Sequence, residues 1–560
     1  MKILGISYAH DSGACVIDNG KILSSINEER LAKIKMKGGP PLLSIKEALR
    51  IAKTKPEEIE VVAFADLRPR DFAKRTYPLV ARRALRGLMR FPGVRTTQTK
   101  RKNLAIIRRF LESIGVNAEE RFVEHHLCHA ASAYYTSGFE ECLVVTSDGE
   151  GDSISSTVNI CRNNTVKRVA STDVYHSAGL FYSSVTNALG FKINRHEGKI
   201  VGLAAYGKPE LVYDKIRDLI SLDEKNLRIE GKIARWYVKY GWRNVPKELK
   251  RICQKNRRED VAAAFQKRLE EVLTELVYTA ARRFSLRRIA LAGGVFANVK
   301  LNQRIHELES VDEIFIHPAM GDAGIHLGAA LQVCAEMEND GIIKAKTLQR
   351  LEHVYLGPEY SEKEIEKALQ KENLEYEKYR NIERKTAELI SEGKVVARFN
   401  GRMEYGPRAL GNRSILALPT DPSINDWLNK RLKRTEFMPF APSLLLEHAE
   451  DFCKNIEGAE HTAEFMTITF DVTKKCEKEA PAVVHVDRTS RPQFVPEKVN
   501  PSYRKIIENV YDLSGLPIIL NTSFNMHEAP IVCTPEDAVK SFLQGHLDAL
   551  SIGRFLVFQR

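Results

Sequence analysis

The chain has 560 residues, enough for roughly two to four domains, and its 43% hydrophobic and 28% charged content fits a globular protein with large cores. No run of about 18 apolar residues occurs, which speaks against a membrane span. The net charge of +12 is uneven: residues 68–109 hold fourteen Lys/Arg against the single acid Asp71, or +13, which leaves −1 for the rest.

The N-terminal residues Met1-Lys2-Ile3-Leu4-Gly5-Ile6 read as a strand, not a signal peptide, because the apolar run is too short. Nine cysteines without a Cys-x-x-Cys pair argue for a reducing cytoplasm and against a thiolate zinc site. Lys2–Tyr8, Ala14–Ile17 and Ile22–Ser25 are predicted strands, joined by the turns Ala9–Gly13 and Asp18-Asn19-Gly20-Lys21, the second a strong hairpin signal. The basic segment follows. It is amphipathic across Ala81–Arg90, and its charge suits a solvated insert, a cradle for an anionic substrate, or a nucleic-acid or acidic-partner surface.

His125-His126-Leu127-Cys128-His129-Ala130 comes next. On a helix, His125 and His129 share a face, and His126 points away. Cys142–Thr146 is a strand whose end presents Asp148 in a turn over Ser147–Asp152. Two imidazoles with one carboxylate suit an open metal site of mixed N/O character, and the alternative is a helix start with a satisfied histidine. Ser156–Cys161 and Val166–Ala170, joined by Arg162-Asn163-Asn164, repeat the opening three-strand pattern. Duplicated units with Asp/Gly-rich first turns are what an actin-like nucleotide-binding fold requires, since backbone N–H groups of both turns face a phosphate chain.

Further strands feed small-residue turns. Glu197–Gly207 sets Lys199 among glycines, Ile289–Ala292 runs into Gly293-Gly294 and then Asn298, and Ile314–Pro318 leads to Gly321-Asp322-Ala323-Gly324. Such turns let a ligand approach the backbone, and Asp322 offers a second oxygen donor to the metal site. The polar stretch Leu222–Asn256, with Trp236, Tyr237, Tyr240 and Trp242, has no clear place in the duplicated core. A boundary is expected near Tyr355–Tyr360, where Gly357-Pro358 ends one element and Ser361-Glu362-Lys363-Glu364 starts a helix. The predicted domains are therefore 1–355 and 362–560. In the second, Arg402, Arg408 and Arg413 sit in the Gly-rich run Gly401–Ser414, and Lys433, Arg434 and Arg491 follow. Arginine forks suit phosphate oxygens. Asn521, Ser523 and Asn525 alternate after the predicted strand Leu516–Leu520 and would share one face of an extended segment.

Taken together, Tyr8–Ala14, His125–Ala130, Asp148–Asp152, Glu197–Gly207, Gly293–Asn298, Gly321–Gly324, Gly401–Ser414, Met438–Pro442, Asn521–Asn525 and Pro530–Val532 resemble the O-carbamoyltransferases of nodulation-factor and antibiotic biosynthesis. The likeness spans essentially the whole chain in the family's order. It implies an α/β protein with a duplicated actin-like first domain similar to the tRNA threonylcarbamoyl transferases, and a YrdC-like second domain similar to the threonylcarbamoyl-adenylate synthases. It implies that the second domain joins carbamoyl phosphate and ATP, accompanied by Mg2+, into carbamoyl-adenylate. The first would then move the carbamoyl group to a hydroxyl of a small acceptor. On this resemblance a metal, iron(II) or another divalent ion, is held by His125, His129, Asp148 and Asp322, and N/O ligation also admits zinc or manganese. His10 is the expected general base or hydroxyl-positioning group. Lys199, Gly293, Gly294 and Asn298 go to nucleotide, and Arg402, Arg408, Arg413, Lys433, Arg434, Arg491, Asn521, Ser523 and Asn525 to carbamoyl phosphate and ATP.

The sequence departs from the family pattern at Thr435, Met438, Arg488 and Met526-His527-Glu528-Ala529, all in the second domain. Two other readings stay open: a fused tRNA-modifying enzyme using the basic segment on RNA, and a non-catalytic nucleotide-binding scaffold. The acceptor and the oligomeric state are not legible.

Overall fold

Asparagines at two tight turns set the frame of the first half. Asn19 and Gly20 have φ of 46° and 85°, and Asn163 and Asn164 have φ of 51° and 54°. Two consecutive residues with positive φ make the hairpin turn that matches strand twist, and Asn and Gly are the residues that tolerate it. The computed structural model that carries these angles describes residues 1–84, 92–232, 244–433 and 437–559, without the side chains of 77–84 and 92–95.

The chain divides into two compact units, Met1–Glu28 with Lys37–Leu351, and Glu29–Met36 with Glu352–Arg560. In the first unit, β1 (Lys2–Ser7), β2 (Gly13–Asp18), β3 (Lys21–Asn27), β4 (Ile59–Ala65) and β5 (Glu119–Val123) form one sheet in the order β3-β2-β1-β4-β5. The first three strands are antiparallel, and β4 and β5 join in parallel. β6 (Glu141–Gly151), β7 (Ile154–Arg162) and β8 (Thr165–Asp173) start a second sheet. The ribbon of β9 (Ile220–Asp223) and β10 (Arg228–Gly231) interrupts the chain before β11 (Arg288–Ala292) and β12 (Glu313–Ile316) complete that sheet as β8-β7-β6-β11-β12. Read from β8, the second sheet repeats the first strand for strand. This is the duplication expected from the sequence, although the predicted turn Ser147–Asp152 is wrong in detail. β6 runs on to Gly151 through a register shift, and the reversal falls on Asp152-Ser153, with φ of 48° and 71°. The irregular stretch displaces Asp148, Gly149 and Glu150 from regular pairing, as bulges beside functional sites do.

Each sheet is followed by a helix, His125–Ser137 after β5 and Ile325–Asn339 after β12. Almost every residue of the first of these helices is buried, because it packs against the second sheet and the second helix. Part of Leu222–Asn256 is accounted for by the β9–β10 ribbon and the helix Lys247–Lys255. Its aromatic residues Trp236, Tyr237, Tyr240 and Trp242 lie outside the described residues, as do Arg86 and Arg90 of the basic run.

The second unit opens on the predicted helix, Glu362–Lys371, where Ser361 and Glu364 close a capping box. Its sheet has eight strands among the described residues. They are β13 (Glu377–Lys378), β14 (Val396–Phe399), β15 (Arg413–Ala417), β16 (Ala441–Leu445), β19 (Gln493–Val495), β20 (Ile518–Ser523), β21 (Ala549–Ile552) and β22 (Phe555–Phe558), with the small pair β17 (Phe470–Asp471) and β18 (Thr489–Ser490) apart from it. The order is β13-β22-β21-β14-β15-β20-β16-β19. Leu416, Leu445, Val495 and Ile519 from the strands pack with Ile390, Ile506 and Val510 from the helices Ile382–Ser391 and Pro501–Ser514. No helix among the described residues is long and apolar enough to cross a membrane.

Candidate metal centre and anion site

Glu124 starts the helix that carries the paired histidines. Its carboxylate accepts the N–H of Leu127 at 2.8 Å, and it is held in turn by Arg75 at 3.1 Å and Arg168 at 2.6 Å. His125 and His129 then fall one turn apart on a single face. Their Nε2 atoms stand 3.1 Å from each other. Asp148 Oδ2 lies 3.7 Å from the first and 3.1 Å from the second, and Asp322 Oδ1 lies 3.4 Å and 3.5 Å away. The four ligand atoms all fall within 4.8 Å of one another.

Two facing imidazole nitrogens beside two carboxylates demand positive charge between them. Burial opposes charging of both histidines, but the charge and hydrogen bonds of Asp322 and Asp148 outweigh it and hold them above the usual imidazole range. Burial likewise opposes ionisation of Asp148, yet the two histidines hold its pKa well below the usual carboxylate value. The donor set suits a divalent ion, because neutral imidazoles and carboxylates at separations of 3.1–3.7 Å are neighbours about a four-coordinate centre with bonds of ~2.1 Å. Gly151 makes room for the arrangement: a Cβ there would lie 1.9 Å from His125 Cδ2.

His126 faces the other way. Its Nε2–H donates to Ile154 O at 3.1 Å, its Nδ1 meets Thr146 Oγ1 at 2.8 Å, and burial pushes its pKa down to about 3. His10 lies in the connection between β1 and β2, with Nδ1 at 3.2 Å from Asp11, and that hydrogen bond pushes its pKa up to about 9. At neutral pH it is therefore a proton donor. Of the general-base and positioning roles expected for it, this state favours the second.

The proposed nucleotide residues of the first unit differ in what they are free to do. Lys199 is buried in the helix Glu197–Ala204. Gly293 has φ of 106° and packs so tightly that a Cβ would meet Ser147 O at 2.1 Å, while Gly294 faces Asp148 Oδ1. Asn298 caps the helix Val299–His306 by accepting from Leu301 N, and its amide exchanges two hydrogen bonds with Gln266. Those bonds occupy both ends of the Asn298 side chain.

In the second unit, two predicted anion ligands hydrogen-bond loop carbonyls. Arg413 is fully buried, donates to the carbonyls of Asn400, Asn412, Gly401 and Pro358, and lies 3.7 Å from the centre of the Phe399 ring. Arg402 donates to Leu356 O and Gly357 O. A constrained arginine in a Gly-rich loop satisfies loop carbonyls as readily as phosphate, and sequence does not distinguish the two uses. Asn525 is not on the shared strand face expected for it: it lies beyond β20, and its amide closes the turn through Met526 O and Ala529 O, each at 2.9 Å. Asn521 and Ser523 do share a face of β20, and the buried Asn521 amide donates to Ala409 O, Ser443 Oγ and Gln493 Oε1. Arg408 and Arg491 are half-buried, Lys433 is exposed, and Arg434 and Thr435 lie outside the described residues.

Sequence reasoning missed several buried polar residues. Glu404 Oε1 gathers the N–H groups of Leu410, Asn412 and Arg413 and so shapes the Gly401–Ser414 loop. Arg398 is buried on Gly411 O and Ser502 Oγ. Asp66 sits just past β4 with Lys100 against it. Lys100 belongs to the basic segment but points inward, and the carboxylates of Asp66 and Asp152 overcome the cost of burial and raise its pKa. An acid directly after a buried strand was the available signal, since ligands gather at carboxyl ends of strands.

Comparison with known proteins yields two family matches, carbamoyltransferase N-terminus over residues 2–331 and carbamoyltransferase C-terminus over residues 387–559. A Methanocaldococcus jannaschii protein, MJ1058, is 35% identical over 100% of this chain and 99% of its own. The nodulation protein NolNO of Sinorhizobium fredii is 32% identical over 99% of this chain and 80% of its own. Among solved structures, HypF of T. kodakarensis is 15% identical with a TM-score of 0.36, over 62% of this chain and 49% of its own.

Proposed function

Because the chain belongs to the carbamoyltransferase family, we propose that it builds carbamoyl-adenylate from carbamoyl phosphate and ATP in a YrdC-like second unit and delivers the carbamoyl group to a hydroxyl of a small acceptor in the first. Carbamoyl transfer comes with the family, and a non-catalytic scaffold is set aside with it. The adenylate route, the acceptor class and the division of labour are the proposal. The observation that carries it is the convergence of His125, His129, Asp148 and Asp322.

In the first reaction water cleaves carbamoyl phosphate to carbamate and inorganic phosphate. An oxygen of the resulting carbamate then bonds to the α-phosphorus of ATP, and pyrophosphate leaves. Arg408, Lys433 and Arg491 are the side chains assigned to these anions, because fixed cations stabilise phosphoryl charge. Asn521 and Ser523 line the same strand face. In the second reaction the acceptor oxygen bonds to the carbamoyl carbon, the hydroxyl proton is released, and AMP departs. His10, protonated through Asp11, donates a hydrogen bond that orients the acceptor or the departing phosphate. Lys199 and the Gly293-Gly294 turn receive the nucleotide. A divalent ion at the four-residue site, iron(II) or another, would supply Lewis-acid polarisation of a carbonyl or hold the adenylate phosphate.

The test is incubation with isotope-labelled carbamoyl phosphate, ATP and Mg2+, with a pool of hydroxylated metabolites in one arm and tRNA in another. Pyrophosphate release with label in a small hydroxylated compound is expected. Label in tRNA, or transfer without pyrophosphate, would overturn the reading.

A further inference from the structure

The basic segment contributes one residue that the solvated-insert reading does not explain. Lys100, in the helix Pro92–Ile114, has an 11% exposed side chain. Its ammonium bridges Asp66 Oδ2 and Asp152 Oδ1, each at 3.1 Å. Asp66 Oδ1 in turn lies 3.1 Å from His125 Nδ1. A carboxylate only accepts, so Nδ1 carries the proton, and Nε2, the nitrogen facing His129, Asp148 and Asp322, is the one left to give its lone pair to a metal ion. Asp152 Oδ2 accepts the backbone N–H of His125 at 3.1 Å and of Leu67 at 2.9 Å, fixing the first residue of the helix as well. Asp66 adopts φ of 114°, a conformation that L side chains rarely take and that persists only when surroundings enforce it. His129 has no such support among the described residues, where its Nδ1 is buried without a hydrogen-bond partner.

We propose that Asp66 is a positioning residue that fixes the tautomer and ring orientation of His125 for a metal ion, with Lys100 as the internal countercharge that holds Asp66 in place. The inference rests on the metal reading of the four-residue site. It gives part of the basic segment an inward task, distinct from binding an outside polyanion. Partners of ligating imidazoles commonly act in this way.

The test compares Zn2+ affinity of metal-free wild-type protein and Asp66→Asn by competition with a chromophoric chelator. The amide keeps the carboxylate's shape but can turn its NH2 toward Nδ1, which moves the imidazole proton to Nε2. A loss of about 10–100-fold in affinity is expected. Equal affinities would overturn this inference alone, whereas absence of Zn2+ binding by the wild type would sink the metal reading and this inference with it. Should the variant not fold, 15N-histidine NMR of the Zn2+-loaded wild type decides. A His125 Nδ1 proton held against exchange with water by its hydrogen bond supports the proposal, and a rapidly exchanging one overturns it.

Discussion

At the scale of single residues, charge is governed by burial and by the nearest opposite charge. His10 shows this simply. Asp11 raises its pKa to about 9, so the imidazole keeps its proton below that pH and loses it above. If a protonated His10 orients the reacting groups, transfer stays level from pH 7 to 8.5 and falls as pH passes about 9. Asp11→Asn should move that fall toward an ordinary histidine value of about 6.5. Superimposable pH–rate profiles for the two proteins would remove His10 from the reaction. Arg413 makes the opposite case, a cation used for structure. Replacing it with alanine strands four carbonyl acceptors in the core of the second unit. Arg413→Ala should cost at least about 3 kcal/mol in urea unfolding. An anion ligand would instead leave unfolding unchanged and raise the KM for ATP or carbamoyl phosphate.

At the scale of elements, the centre depends on how closely β6 passes the helix His125–Ser137. At Gly151 an added Cβ would lie 1.9 Å from His125 Cδ2. Gly151→Ala forces the His125 ring aside, with an expected loss of about 1–3 kcal/mol in stability and a clear loss of metal affinity. Calorimetric titration of the variant with Zn2+ checks this, and wild-type affinity would show that the ring has room to spare. Elements were also where the sequence was most legible. The Asn-Gly and Asn-Asn hairpins, the doubled three-strand pattern and the Ser361 helix start follow from local turn and capping chemistry, which neighbouring residues decide. The register shift in β6 was not legible, because Asp148–Gly151 reads as a loop until its pairing with β7 is known. Nor was the inward course of Lys100, since a basic run normally faces water and only Asp66 and Asp152, far away in sequence, draw this one in.

Over the whole molecule, two compact units carry two kinds of polar site. The first unit gathers two imidazoles and two carboxylates at the ends of strands and helices from both halves of its duplication. The second uses arginines both to tie its loops and, in our reading, to hold anions. The spacing of His125 and His129 made the first site readable, because helical periodicity fixes their shared face. The second was less readable, because Arg402 and Arg413 look the same in sequence whether they hold carbonyls or phosphate. The assignment of Glu29–Met36 to the second unit carries no compositional mark either. The central claim is that synthesis and delivery of the carbamoyl group are separate reactions of separate units. His129→Ala, assayed side by side with wild type for pyrophosphate release from ATP and carbamoyl phosphate and for carbamate formation on the acceptor, tests it most directly. The account predicts pyrophosphate release within about twofold of wild type and transfer reduced by at least about 100-fold, the scale of several kcal/mol of lost stabilisation. A folded variant that loses both activities equally would contradict it.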